Sequence, residues 1–314
     1  MIFSMEIKVT PDDSFDVVGR DESGTQTISR PSLSYWHDVW LSLKKNKLAL
    51  AGIFVIILYV ILAIVGPYMT GYTFNLTDSS ATDLTPNAQH LFGTDSLGRD
   101  LWSRAWYGGR VSLTIGFLVT IINQIIGIIV GGVSGYLGGK TDMIIMRVID
   151  VLYGIPSLIV SILVMMARGK SDMSSLVLAM VIIGWIGSAR FMRGQVLSLK
   201  NEEYVLAARV LGSGKLRIIL RHLLPNILGL IITNITLAIP GAIFQEAFLS
   251  YIGIGIQPPL SSWGLLAKDG QQTFLIYPWE MILPTLLIST TMLSLNLLGD
   301  GLRDALDPRI RSTK

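Results

Sequence analysis

The sequence contains no cysteine and only three histidines among its 314 residues. The absence of thiols excludes disulfides, thiolate catalysis and zinc sites built on cysteine. The histidines, His37, His90 and His222, fall in separate segments, without the spacing of a zinc site. Neither a nucleophile motif nor a pair of catalytic acids is apparent. We therefore expect no metal site and no covalent catalysis.

Charge is also scarce, because Asp, Glu, Lys and Arg together make up 15% of the chain and hydrophobic residues 51%. A soluble domain carries about 25% charged residues. The mean hydropathy is +0.56, and apolar runs long enough to cross roughly 30 Å of hydrocarbon recur. The composition indicates an all-α polytopic membrane protein. The pI of about 9.0 does not indicate nucleic-acid binding, since the basic residues flank the apolar runs.

The apolar runs predict six transmembrane helices. Lys and Arg concentrate on one side of the membrane when the N-terminus is placed in the cytoplasm, which is the distribution found in membrane proteins. We therefore expect both termini in the cytoplasm. The predicted spans are 48–69, 111–137, 143–167 (kinked at Pro156), 174–189, 223–248 and 281–299.

These spans divide the chain into four parts. The polar, mildly acidic start predicts a cytoplasmic tail, and the two long loops at 70–110 and 255–278 are predicted to face outward. The outward loops belong either to a binding partner or gate, or to plain connectors. The predicted parts are a cytoplasmic tail at 1–35, the first transmembrane helix with its outward loop at 36–110, a five-helix core at 111–305 that contains a cytoplasmic loop at 190–222, and a C-terminal cytoplasmic tail at 306–314.

A basic, amphipathic segment at 201–226, NEEYVLAARVLGSGKLRIILRHLLPN, lies between two apolar runs. Asn201 is suited to cap a short helix, and Gly212 to end it in the left-handed conformation. Acidic residues in the first turn interact favourably with the positive end of the helix dipole. Two small residues would allow a partner surface to approach the helix closely. The alternative is an ordinary amphipathic helix on lipid headgroups. The residues that we expect to contact a partner are Glu202, Glu203, Ala207, Ala208, Gly212, Leu224 and Pro225.

Two glycine patterns need separate interpretations. Gly127, Gly131 and Gly135 share one helix face and predict close helix packing, either within the bundle or against a second subunit. The sequence GGKT at 138–141 is not a P-loop, because Ser134 stands where a glycine is needed and no strand precedes it. We expect a tight cytoplasmic turn there and no ATPase site.

Acidic residues within spans are a mark of ion-coupled carriers. Glu246 lies toward the outer end of the fifth span, and Asp150 lies in the third. Glu246 is a candidate for the transport pathway or a gate, with Pro258 and Trp263 of the second outward loop, although a structural role is the alternative. An ion-coupled secondary transporter that uses Glu246 or Asp150 therefore remains open.

Seven motifs occur in one order over about 34–309 and together resemble the second permease subunit of the oligopeptide ABC importers, a group that also handles dipeptides and nickel chelates. Two departures concern Leu206, which precedes Ala207-Ala208 where the general permease pattern has Glu, and His222, where that pattern has an aliphatic residue. The motifs are HLFGTDSLGRDLWSR, GGRVSLTIG, GYLGGKTDMIIMR, ARFMRGQVLSLKNEEYVLAAR, RHLLPN, EAFLSYIGIGIQPPLSSWG and GDGLRDALDPR.

The resemblance implies a type I ABC importer permease fold in a prokaryotic plasma or inner membrane. It implies ATP-driven import of oligopeptides or dipeptides, with this chain as half of the pathway and the segment at 201–226 as its coupling loop. The implied partners are a homologous permease, two ABC ATPases that bind ATP and Mg, an extracytoplasmic binding protein and a peptide. The chain itself is expected to bind no cofactor. An ion-coupled carrier and a membrane scaffold without transport are the alternatives.

Overall fold

The computed structural model describes residues 35–306. Within that range the regular elements are helices joined by loops, and an isolated β-bridge links Thr94 and Asp100. The predicted tails at 1–35 and 306–314 lie outside the described residues, except for the single residue at each inner end. The helices are α1 Tyr35–Lys45, α2 Lys47–Val65, α3 Leu101–Leu137, α4 Gly139–Tyr153, α5 Ser157–Arg168, α6 Met173–Gly184, α7 Ile186–Leu199, α8 Glu203–Val210, α9 Lys215–Ile218, α10 Leu224–Tyr251, α11 Trp263–Thr273 and α12 Trp279–Leu306.

Four of the helical stretches are long and apolar enough to cross a membrane. They are Lys47–Tyr68, Leu101–Leu137, Lys215–Tyr251 and Trp279–Leu306. The pairs α4–α5 and α6–α7 pass the same test only when each bent pair counts as one span, which gives up to six. The six predicted segments therefore correspond to four helices and two bent pairs.

Both bent pairs bend more than the sequence predicted, which was a kink at Pro156 in the third span and none in the fourth. The axes of α4 and α5 differ by 81°, and those of α6 and α7 by 41°. Pro156 lies in the first break, as the sequence predicted, and precedes α5 directly. Its ring excludes the preceding residue from helical conformation, so the chain leaves the helix after Tyr153. The predicted kink is thus a full break.

Two predicted helix boundaries are wrong by about ten residues. The second span begins at Leu101 rather than 111, since the Asp100 carboxylate accepts the Ser103 N–H at 2.8 Å and caps α3. The division at 110 therefore falls inside a helix. The fourth span does not end at 189, because α7 continues to Leu199. Charged Arg193 stays helical there because Asp142 of α4 accepts its guanidinium.

Glycines bring α3 and α7 together. A side chain at Gly131 would overlap the Ala189 carbonyl oxygen, and one at Gly135 would lie 2.9 Å from the Arg193 carbonyl oxygen. Gly127 is equally tight against Ser188. Within this chain, all three glycines therefore lie against α7.

The end of the bundle opposite α8 carries α11, a helix that the sequence did not predict. The Ser262 hydroxyl accepts the Leu265 N–H and caps it. Gly264 lies directly on the α10 backbone at Ala247, and Gly270 on the α12 backbone at Glu280. Small residues thus seat this short helix between α10 and α12, where most of its apolar face is buried.

Candidate functional site

The amphipathic segment at 201–226 that the sequence singled out contains the eight-residue helix α8. Its N-cap is Glu202, which corrects the prediction of Asn201. The first helical hydrogen bonds run from the N–H groups of Val205 and Leu206 to the Glu202 carbonyl oxygen, at 2.9 and 3.0 Å. Asn201 lies one residue too early to cap, and no side chain caps this end. Glu203 is in the first turn, as predicted, where its negative charge interacts favourably with the positive end of the helix dipole.

Gly212 ends α8 as predicted. Its φ is +79°, a conformation that glycine adopts without steric cost. The Gly212 N–H bonds to the Arg209 carbonyl oxygen and the Ser213 N–H to the Ala208 carbonyl oxygen, each at 3.0 Å. This pair of bonds is the Schellman motif, which satisfies the last carbonyls of a helix and turns the chain sharply.

The two alanines of α8 face different ways. Ala208 is buried with Val205 in a cluster that includes Ile218 and Leu223. It therefore packs against this chain, whereas we expected it to contact a partner. Ala207 is exposed. Ala208 therefore joins α8 to the helix that follows it.

The opposite face of α8 is apolar and exposed. Val210 and Leu211 have exposed fractions of 87% and 85%. Leu206 and Ala207 precede them by four residues each and lie on the same face. We call these four residues the coupling surface. Exposed apolar residues that cluster in this way mark a surface for another protein or for lipid.

A π-helical turn, Ile219–Leu223, joins α9 to α10. Pro225 has no N–H and its ring crowds the carbonyl of the residue four before it, so the helical ladder opens at this point. The Leu224 N–H bonds instead to the Ile219 carbonyl oxygen, five residues back. Leu224 is half-buried and Pro225 exposed. The helical stretch nevertheless continues from Lys215 through α10, so the corner next to α8 belongs to a membrane-crossing helix.

Residues at both ends of α8 contact the C-terminal end of α3. The Lys200 ammonium donates to the Gly135 carbonyl oxygen at 3.1 Å, and the Arg209 guanidinium lies 5.9 Å from the ring centre of Tyr136. Gly138 and Gly139, which follow α3, both have positive φ and form the turn that the sequence predicted. A displacement of α8 would therefore reach α3 and α10 together.

Glu246, the acidic residue nominated for the pathway, is fully buried at the outer end of α10. Its two oxygens accept hydrogen bonds from the hydroxyls of Ser112 and Ser250, at 2.6 and 2.8 Å. Trp263 is equally buried, and its indole N–H donates to the Ala105 carbonyl oxygen at 2.8 Å. Neither lines an open passage in this structure.

The other nominated residues lie at the surface. Pro258 is exposed, so a contact with solute or partner remains a prediction for it. Asp150 pairs with Arg190 at 2.7 Å, and both side chains are partly exposed. The Arg190 guanidinium also lies 4.3 Å from the ring centre of Tyr153. A solvated, paired carboxylate of this kind is unlike a buried ion site.

The sequence did not reveal a buried charge network between the loop before α3 and α11. The Asp95 carboxylate accepts the Arg99 guanidinium at 2.8 Å and also that of Arg104. The Arg104 guanidinium also donates to Asp269 of α11 at 3.2 Å. The run of alternating charges in the segment 95–104 was the available signal, but the partner from α11 lies 165 residues further on. This network fixes the first outward loop to α11.

Comparisons with known proteins agree on one family. The family of binding-protein-dependent transport system inner membrane components matches residues 125–312, and the N-terminal TM domain of oligopeptide transport permease C matches residues 34–88. The chain is 47% identical over 302 residues to a dipeptide transport system permease protein of Bacillus subtilis, covering 96% of this chain and 94% of the relative.

Two further relatives are named as oligopeptide transport system permease proteins. One, from Bacillus subtilis, is 44% identical over 96% of this chain and 98% of its own length. The other, from Escherichia coli strain K12, is 37% identical over 92% and 96%. None of these names describes an ion-coupled carrier, so that alternative has no support.

Proposed function

Because the chain belongs to the family of binding-protein-dependent transport system inner membrane components, we propose that it imports dipeptides or oligopeptides as one permease of an ABC transporter. It is a multi-pass permease subunit without an ATPase site of its own. The peptide substrate is supported by the names of its relatives, which are dipeptide and oligopeptide permeases. This chain would form half of the pathway, and a homologous permease the other half.

The ATPases would dock on the coupling surface. Val210 and Leu211 are 87% and 85% exposed, and contact between this apolar surface and water is unfavourable. A partner that covers the surface would stabilise it. Two ATPase subunits would bind ATP and Mg, and their closure would move α8. The buried contact of Ala208 and Val205 with Ile218 would pass this movement into α9 and α10. Alternating access needs two packings of similar free energy, which the partner's ATP cycle biases.

The remaining parts of the complex follow from the same orientation. With α8 in the cytoplasm, both chain termini would also be cytoplasmic, and the segment 70–100 with α11 would face outward. Lys44 and Lys45 at the end of α1 suit the cytoplasmic side. An extracytoplasmic binding protein would deliver the peptide to the outer face.

Two substitutions at exposed leucines test the docking surface. Leu211→Asp places a charge on the coupling surface, and Leu275→Asp places the same charge on the outer side, where Leu275 is 97% exposed. We expect Leu211→Asp to reduce ATPase co-purification and ATP-driven peptide uptake at least tenfold, while Leu275→Asp retains the ATPases. Equal ATPase recovery with both variants would refute docking at α8.

A further inference from the structure

A contact between the first outward loop and α12 brings two carboxyl groups together away from the coupling surface. Glu280, in the first turn of α12, is only 3% exposed. The Thr273 hydroxyl donates to Glu280 Oε2 at 2.6 Å. The other oxygen, Oε1, is buried and receives no N–H or O–H group from the part of the chain that the structure describes.

The second carboxyl group belongs to Asp83. Its φ is +52°, which is uncommon for a residue other than glycine and tolerated best by Asp and Asn. The Asp83 N–H bonds to the Asp95 carbonyl oxygen at 3.1 Å and holds this turn in place. Asp83 Oδ1 is buried and, among residues 35–306, also lacks a donor. The loop that carries Asp83 lies against the start of α12, since a Cβ at Gly93 would meet both the Leu84 carbonyl oxygen and the Trp279 indole nitrogen. At this contact the side chains of Asp83 and Glu280 interact directly.

The chemistry of this pair requires a proton. Two ionised carboxylates offer only acceptors, so they cannot form a hydrogen bond unless one of them is protonated. Two like charges in contact also repel each other, and the burial of Glu280 removes water that would screen them. We propose that Asp83 and Glu280 form a proton-binding site that holds one proton between the outward loop and α12.

The cations at this junction already have partners. Asp95 is another acid whose charge acts on Glu280, and it accepts the guanidinium groups of Arg99 and Arg104. Both arginines also contact Asp269. Within the described ranges neither Asp83 nor Glu280 forms an ion pair with Lys, Arg or His. A proton is therefore the cation that can satisfy the two free oxygens.

The site makes closure of the loop depend on pH. The closed loop binds one proton that an open loop, with both carboxylates in water, would release. Closure is therefore favoured at low pH and is lost as pH rises, at most tenfold per pH unit for one proton. The proton stabilises the turn at Asp83 and its neighbouring bond, in which the Thr94 N–H donates to the Leu84 carbonyl oxygen at 3.1 Å.

Hydrogen exchange measures this closure without relying on transport. The full-length chain, assembled with its partner subunits in lipid nanodiscs, is exchanged between pH 5 and pH 9, and protection of 83–95 is corrected for intrinsic exchange. We expect wild-type protection to fall with rising pH, approaching tenfold per unit above the midpoint. Glu280→Gln supplies a permanent N–H donor, so its protection should stay constant. Asp83→Asn should do the same and serves if the first variant fails to fold.

An outer acid far from the pair provides the matched control. The Ser175 backbone N–H and side chain hold the pKa of Asp172 at about 2, so Asp172 stays ionised over the whole range. Asp172→Asn should keep the wild-type slope. The proposal is overturned if wild-type protection is flat, or if Glu280→Gln and Asp83→Asn both retain the slope. It is also overturned if EDTA removes protection at constant pH and Ca²⁺ restores it, since a divalent cation would then bridge the carboxylates.

Discussion

Glu246 and Ser112 are 134 positions apart in the sequence and form a buried hydrogen bond of 2.6 Å. The bond joins α10 to α3. The Ser112 oxygen also accepts the Trp263 N–H at 3.2 Å, so the same pair positions the start of α11. Ser250 completes the arrangement, since its hydroxyl donates to Glu246 and accepts the Ile256 N–H. Glu246 thus holds the loop before α11 against two long helices.

The two substitutions Glu246→Gln and Glu246→Ala separate this structural role from an ion-coupling role. Gln retains one acceptor and the volume of Glu, so uptake driven by ATP should fall only a few-fold. Ala leaves buried hydroxyls unpaired, which costs about 1–3 kcal/mol per group. We expect Ala to lower the thermal unfolding midpoint of the complex and Gln to leave it nearly unchanged. Complete loss of uptake in a stable Gln variant would show that the charge itself is needed.

Two helix glycines provide a test of the packing between α3 and α7. A Cβ at Gly131 would overlap the α7 backbone at Ala189, whereas a Cβ at Gly194 would meet nothing within 4 Å. Gly131→Ala should destabilise the protein by about 1–3 kcal/mol, because the overlap forces the helices apart. Gly194→Ala should be neutral or stabilising by about 0.5–1 kcal/mol, because alanine is the better helix former. The measurement is the free energy of unfolding of each variant. Equal values for Gly131→Ala and Gly194→Ala would contradict the close contact between α3 and α7.

The ion pair between Asp142 and Arg193 ties the start of α4 to α7. The guanidinium donates to both carboxylate oxygens, at 2.5 and 2.6 Å, and the Ser134 hydroxyl donates to one of them. Arg193→Met removes the cation, and we expect a loss of about 1 kcal/mol, since the pair is partly exposed. Exchanging the two residues, Asp142→Arg with Arg193→Asp, should recover part of that loss in the same unfolding measurement. A double variant no more stable than Arg193→Met would contradict a direct pair.

Hydrophobic length predicted which segments cross the membrane, but not where they break. A proline such as Pro156 marks the position of a bend but not its size, so a smooth kink and the observed 81° turn look alike in sequence. The start of α3 was missed for a related reason. The residues after Asp100 are polar for a span, and only their bonds to the outward loop, such as the Ser103 hydroxyl to the Tyr72 carbonyl oxygen, show why they stay helical.

The short cytoplasmic helix was predicted more closely because its signals are local. Gly212 carries its own backbone preference, and the helix ends there. The direction of Ala208 could not be predicted, because it depends on Ile218 returning from α9 to cover it. The contact of Asp83 with Glu280 is harder still to predict from the sequence, because no local pattern around either residue indicates its partner. Pairing between distant carboxyl groups is decided by the packing of the loop on α12.

Gly212 and Gly214 test whether the shape of the α8 turn governs energy transfer. Neither would meet another atom within 4 Å if it carried a Cβ, so crowding cannot explain a difference between them. They differ in backbone conformation, because φ is +79° at Gly212 and −66° at Gly214. Alanine at Gly212 is strained by about 1 kcal/mol or more, which favours a rearranged turn. Alanine at Gly214 fits its extended backbone and should be neutral or slightly stabilising.

The measured quantity is peptide taken up per ATP hydrolysed by the assembled complex in proteoliposomes. We expect Gly212→Ala to lower this ratio several-fold while ATPase activity persists. In this variant Val210 and Leu211 would be displaced, so they would still bind the ATPase but would move α9 less. Gly212→Asn should have a smaller effect, since Asn tolerates positive φ better than Ala. Gly214→Ala should keep the wild-type ratio. If Gly212→Ala and Gly214→Ala take up the same amount of peptide per ATP hydrolysed, the left-handed turn only ends the helix. The movement of the ATPases must then reach the transmembrane helices through other contacts.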